Sequence, residues 1–263
     1  MSTVQHDTGN HEVAFNKTIN QKLHRLTPAV AAIVYPFLLD EFHRAVSSTG
    51  APISAARFVE AALCLLAAAA VPLIALFTAF RTSRGQPSKF DLRARRLAYL
   101  IIGVPPAFVL LGVSRGLLHI HANEKLIWVV GWLVATAYVL LVRDSRLPPS
   151  TLSVIKWRVA HGVAAAALVF FILFHLINHF TGLRGAETHA AVMKFGRQVY
   201  RSSFGEPVLI SLMLFQVISG ARLAWRWSSL SSDGYRVFQI GSGVYLGAFV
   251  LTHLNSALIS ART

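Results

Sequence analysis

The feature that most constrains this chain is a succession of uncharged apolar runs, each close to the length that crosses a lipid bilayer. A hydrocarbon core about 30 Å thick takes on the order of 20 helical residues to span. Six segments meet that requirement: Phe58–Phe80, Leu97–Leu118, Leu126–Val142, Val159–Phe180, Pro207–Trp225 and Ile240–Ile259. A seventh, Leu26–Leu39, is shorter; it reads as a tilted span or as an interfacial helix with Asp40, Glu41 and His43 among the headgroups. Backbone polar groups in lipid must bond to one another, so each run is expected to be a helix, kinked in Leu97–Leu118 by Pro105 and Pro106. The expected fold is all-α, a polytopic transmembrane helix bundle of six or seven spans.

Charge distribution supports this class. Only 14% of the 263 residues are charged, against about 25% in an ordinary soluble domain. The net charge of +14 does not mark a nucleic-acid partner. The basic residues sit at the ends of apolar segments, where they meet lipid headgroups and set topology, and no basic stripe interleaved with aromatics occurs. Cys64 stands alone in an apolar run, which excludes an internal disulfide framework. No Walker, dinucleotide, zinc-protease or nucleophile-elbow motif is present. Residues 1–24 read as a polar tail, expected to be disordered. Residues 25–143 form an N-terminal membrane half with a linking helix, and residues 144–263 a C-terminal membrane half. The loops leave no room for a self-contained soluble catalytic domain.

With the N-terminus inside, seven spans place about 16 of the Lys and Arg residues in inner loops and about 9 outside. The densest inner loop runs from Arg81 to Arg96. The halves also echo one another: Ala56-Arg57-Phe58-Val59-Glu60 is similar to Ser202-Ser203-Phe204-Gly205-Glu206, and each glutamate opens a long apolar run. Two three-helix repeats in the same orientation, joined by Leu126–Val142, would produce that pattern. A further echo joins Phe174-His175-Leu176-Ile177-Asn178 to Thr252-His253-Leu254-Asn255.

Polar groups inside a bilayer are expensive, so they are candidate functional sites. His175, Asn178 and His179 share one helix face at i, i+3 and i+4, expected to point into the bundle. His161 precedes His175 by about 21 Å along the axis and about 40° in azimuth, a placement that suits two haems stacked across the membrane. Imidazoles from two facing helices are what a b-type haem iron takes, with arginines such as Arg158, Arg184, Arg201 or Arg222 for its propionates. The same residues equally read as structural groups hydrogen-bonded across helices. His119 and His121 read as interface residues. Ser219, Gly220 and Ala221 permit close helix approach, and Glu206 before Pro207 caps a first helical turn.

The combination His175-Leu176-x-Asn178, Tyr200-x-Ser202-x-x-x-Glu206-Pro207-x-Leu209 and Ser219-Gly220-x-Arg222-Leu223 resembles the transmembrane domain of fungal mitochondrial adapter proteins. More distantly it is similar to the cytochrome b membrane subunits of succinate dehydrogenase and fumarate reductase. The likeness covers residues 157–259 and only weakly the first half. Gln216 stands where the respiratory family's His-x-x-x-Gly pattern has a histidine before Gly220, and glutamine is a poor haem ligand. A haem, if held, would therefore use another pair, His175 with His253. The respiratory resemblance implies haem b, electron transport and a soluble redox partner. The adapter resemblance implies a non-enzymatic role in lipid homeostasis or partner recruitment. A small-solute transporter is a third reading, from helix number and repeats alone. The membrane implied is a bacterial inner membrane, or a mitochondrial one in a eukaryote.

Overall fold

A computed structural model of the protein describes residues 5–47, 53–141, 145 and 155–259. Among these residues the regular structure is helical throughout: α1 Gln5–Val46, α2 Ala55–Thr82, α3 Lys89–Ile102, α4 Val104–Leu117, α5 Glu124–Leu140, α6 Ile155–Phe180, a 3-10 turn Thr181–Arg184, α7 Ala186–Tyr200, α8 Gly205–Trp227 and α9 Gly234–Ile259. Four stretches are long and apolar enough to cross a bilayer: α2, Ile155–Arg184, α8 and Gly234–Ser256. Many of their large apolar side chains face outward, among them Leu66 at 67% and Phe170 at 79% exposure. A lipid-facing surface has this character, and a soluble one does not.

The number of clear spans is smaller than the six or seven expected, for local reasons. Leu97–Leu118 is not one kinked helix. Helix α3 ends at Ile102, and α4 sets off from it at 67°, so the pair makes at most a fifth, broken span. Gly103 joins them, and Pro105 and Pro106 fall in the first turn of α4, where a missing N–H costs nothing. Helix α5 has 17 residues, about 25 Å of helix, the lower limit of what spans a bilayer core. Val142, the expected end of that span, lies outside the described residues, as do Arg143 and Arg146 of the following loop. Leu26–Leu39 belongs to the 42-residue α1, which begins at Gln5; the segment expected as a disordered tail is helical from that point.

The chain divides into two compact units, the first formed by residues 1–150 with 227–252 and the second by 151–226 with 253–263. In the first, α1 and α2 make the most extensive pairing. Small residues permit it: Ala29 and Ala32 of α1, and Ala68, Ala75 and Ala79 of α2, are buried. Pro36 lies inside α1 and has no N–H for the carbonyl of Ala32 one turn earlier. The indole Nε1 of Trp128 in α5 donates to that oxygen at 2.7 Å instead. Trp128 also closes an edge-to-face series with Phe108 (5.1 Å) and, through it, Tyr35 (6.0 Å). Trp128→Phe keeps the ring and removes the donor, so it is expected to destabilise the protein by about 1–3 kcal/mol. A melt of the purified variant in detergent checks this; an unchanged midpoint would show the carbonyl finds another donor.

The first unit has two electrostatically different ends. At one, Arg25 pairs with Asp91, Lys22 lies over Phe90, Arg81 over Phe77 and Arg84 over Phe80, and Arg93 donates to Tyr138 O at 3.0 Å. Arg95, 1% exposed, sits beneath them. Its Nη1 donates to Ser228 O and Leu230 O, both at 2.9 Å, and its Nη2 to Thr82 O. These carbonyls lie at the end of α2 and between α8 and α9, where a helix leaves its last carbonyls to donors outside it. The other end is balanced by ion pairs: Lys125 with Asp40, Arg115 with Glu124 at 3.0 Å, and Arg44 with Glu41 at 2.6 Å.

Candidate functional site

In the second unit the polar residues of α6 gather in two places along its length. Near its start, His161 reaches α8 with both ring nitrogens engaged: Nδ1 with Ser219 Oγ at 2.8 Å and Nε2 with Gln216 Nε2 at 3.0 Å. Ser219, 0% exposed, spends its own proton on Phe215 O at 2.6 Å. The consistent assignment is that Gln216 donates to His161 Nε2, and His161 Nδ1–H donates to Ser219 Oγ. So held, both ring nitrogens of His161 are engaged by α8, and Gln216, where the respiratory pattern has a histidine, is its hydrogen-bond partner. Gly220 completes the contact, since a Cβ there would stand 3.3 Å from His161 Cε1. Beside this cluster Trp157 stacks on Phe215 at 6.3 Å, and the Arg222 guanidinium lies over Trp157 at 4.4 Å.

The second gathering lies at the far end of α6. His175 and His179 touch, Nε2 to Nε2, at 3.2 Å. The His253 ring, from the last turns of α9, stands 6.0 Å from the His175 ring with the planes at 70°. Phe171 stacks on His175 at 5.8 Å and 19°, which sets the plane of that imidazole. Asn178 is 1% exposed, while His175 is half-buried and His179 is exposed, so the expected inward face holds Asn178 fully and His179 not at all. The reason is α7, which covers the Asn178 side of α6.

Helix α7 is the element that reading the sequence missed, and it brings residues not singled out there. Asn178 Nδ2 donates to Met193 Sδ at 2.9 Å. His189 Nδ1 meets Asn178 O at 3.3 Å, and its ring lies 5.7 Å from that of His179. Gly196 lets the helices approach, for a Cβ there would meet Asn178 Nδ2 and Phe174 Cε1 at 3.7 Å. Four histidines thus form a train, His253–His175–His179–His189, while Asn178 Oδ1 is buried with no hydrogen-bond partner.

Two imidazoles that share a haem iron from opposite sides have ring centres about 6 Å apart. The His175 and His253 ring centres are 6.0 Å apart on separate helices, while His175 Nε2 is engaged by His179 Nε2 at 3.2 Å. Among the described residues no three His, Cys, Asp or Glu side chains are grouped to hold a bare metal ion. Arg158 and Arg222 do not belong to this end. Arg158 precedes His175 by about 25 Å of helix, and Arg222 is with Trp157. The cations next to the histidine train in the chain are Arg184, Lys194, Arg197 and Arg201. Glu206 occupies the first turn of α8.

No protein-family model matches the chain, and no curated protein or solved structure matches it either.

Proposed function

We propose that this chain is a multi-pass membrane electron carrier of the cytochrome b type, in which His175 and His253 would hold one haem b. The observation that carries the reading is the approach of these two imidazoles, from α6 and α9, to 6.0 Å. When bound, haem b supplies a one-electron carrier whose potential follows its axial ligands and the polarity around it. The chain's own residues hold it without burying charge, since neutral imidazole costs far less in lipid than an ionised ligand. Phe171 fixes the His175 ring against rotation, and His179 and His189 lead from that ring to the surface helix α7. Electrons would come from a second protein, because the described residues between spans form no separate soluble domain.

The same reading takes the span number as seven, with α1 and α5 crossing beside the clear spans. Both run between the two ends of the first unit: α1 carries Arg25 at the basic end and Asp40 at the balanced one, and α5 carries Tyr138 and Lys125 correspondingly. Seven crossings make α6 and α9 parallel, so His175 and His253 end on the same side. The basic end then faces the cytoplasm, or the matrix of a mitochondrion. In a Cys64→Ser background, Gln86→Cys should react with a membrane-permeant thiol reagent and resist an impermeant one applied outside. Labelling by the impermeant reagent would invert the topology.

A second reading, a non-catalytic membrane adapter with structural histidines, is favoured by the 3.2 Å contact that occupies His175 Nε2. A dithionite-reduced minus oxidised spectrum of the detergent-purified protein separates the two. The cytochrome reading expects a sharp α-band and Soret shift; a featureless spectrum after expression with ample haem leaves the adapter.

A further inference from the structure

The geometry of α7 points to a second site, independent of the haem reading: we propose that this helix lies in the membrane surface and binds the headgroup of an anionic phospholipid through Lys194 and Arg197. The chain reaches α7 directly from Arg184 at the end of one candidate span and leaves it, four residues after Tyr200, for another at Gly205. A helix tethered so briefly at both ends to apolar spans is held beside the last turns of α6, from His189 at Asn178 to Tyr200 at Phe171. At about 100° per residue its side chains sort into three faces. His189, Met193, Gly196 and Tyr200 face α6. On one side of that stripe Phe195 and Val199 are 61% and 57% exposed. On the other, Lys194, Arg197 and Gln198 are exposed, and Glu187 is the helix's one acid.

An exposed apolar face and an exposed basic face on one short helix are the arrangement of a helix lying in the interface plane. The apolar face dips toward the acyl chains, and the cations meet phosphate. Between the cations is an open hollow of about 560 Å³ lined by His189, Ala190, Met193, Lys194, Arg197 and Gln198. It has room for a headgroup, with Gln198 as a further donor. Phosphatidylglycerol supplies the required chemistry: a phosphodiester charge, hydroxyls for the polar rim and two acyl chains for Phe195 and Val199. Met193 and His189, which line the hollow, are the residues that touch Asn178 from α7, so an occupied headgroup site would also brace the histidine train.

The test is native mass spectrometry of the full-length protein in detergent, titrated with phosphatidylglycerol or phosphatidylcholine. Wild type should retain phosphatidylglycerol in preference to phosphatidylcholine. Lys194→Gln with Arg197→Gln should weaken phosphatidylglycerol about twenty-five-fold, each headgroup-level cation contributing a factor of about five. Phosphatidylcholine retention should not change. Arg81→Gln with Arg84→Gln, exposed cations elsewhere in the chain, should leave the preference intact. Equal retention of the two lipids by wild type, undiminished phosphatidylglycerol binding in the Lys194/Arg197 variant, or an equal loss in the Arg81/Arg84 variant would each overturn the proposal.

Discussion

His175→Ala is expected to abolish the haem spectrum of the purified protein outright, and His253→Ala to remove or convert it to a five-coordinate form. His161→Phe is expected to leave it intact. The asymmetry follows from hydrogen bonding rather than position. His161 gives both nitrogens to α8, through Ser219 at 2.8 Å and Gln216 at 3.0 Å, so its loss costs stability of about 1 kcal/mol and no ligand. His175 and His253 meet across two helices at 6.0 Å. Haem content per chain, measured as the pyridine haemochrome for the three variants beside wild type, checks the set. Full haem in His175→Ala with loss in His161→Phe would reverse the assignment.

The largest effect on stability is expected at Arg95. One guanidinium, 1% exposed, satisfies three backbone carbonyls, Thr82, Ser228 and Leu230. Arg95→Met fills much of the same volume and leaves all three without that donor. The contacts to Thr82 O and Ser228 O are buried, while Leu230 is 42% exposed and its carbonyl also accepts from Ser232 Oγ at 3.4 Å. Each buried unsatisfied carbonyl costs about 1–3 kcal/mol, and partial relaxation of the Ser228–Leu230 turn brings the total to about 4 kcal/mol. For a chain of this size that is a fall of about 10 °C in the melting midpoint. Arg95→Lys offers one point charge in place of a planar fork and should recover less than half of the loss. A midpoint within 2 °C of wild type for Arg95→Met, on the order of 0.5–1 kcal/mol, would mean that the turn is capped from elsewhere.

The parts of the fold that could be read in the sequence are those where composition alone decides. Helices α2, α6, α8 and α9 were legible because a run of about 20 uncharged apolar residues has few alternatives in water or lipid. The break at Gly103 was not. Two prolines read equally well as an internal kink or as the first turn of a new helix, and the choice rests on packing. Helix α7 was missed because it is short and half polar, although a signal existed: His189, Met193, Gly196 and Tyr200 recur at helical spacing, with Glu187 in the first turn. The indole of Trp128 on Ala32 O joins residues 96 apart, and nothing local announces such a pairing.

The site was legible in a similarly uneven way. The matching His-Leu contexts at His175 and His253 drew attention to two residues that the fold does bring together. Gln216 stood out as a departure from the respiratory pattern, but its role as the partner of His161 needed the α6–α8 contact. Arg158 and Arg222 were candidates by charge alone, and one α-helical rise of about 1.5 Å per residue puts Arg158 too far from His175. His189 and Met193 were hidden with α7, since their relevance comes only from the helix that carries them.

The most direct test of the central claim is low-temperature electron paramagnetic resonance of the oxidised, detergent-purified protein, with haem quantified per chain. Two imidazoles on opposite sides of one iron make it low-spin, and ring planes crossed at 70° give the strongly anisotropic form of that signal. The account predicts one low-spin haem b per chain, lost with His175. A high-spin signal, which a single axial histidine produces, or protein that takes up no haem when haem is abundant, would contradict it.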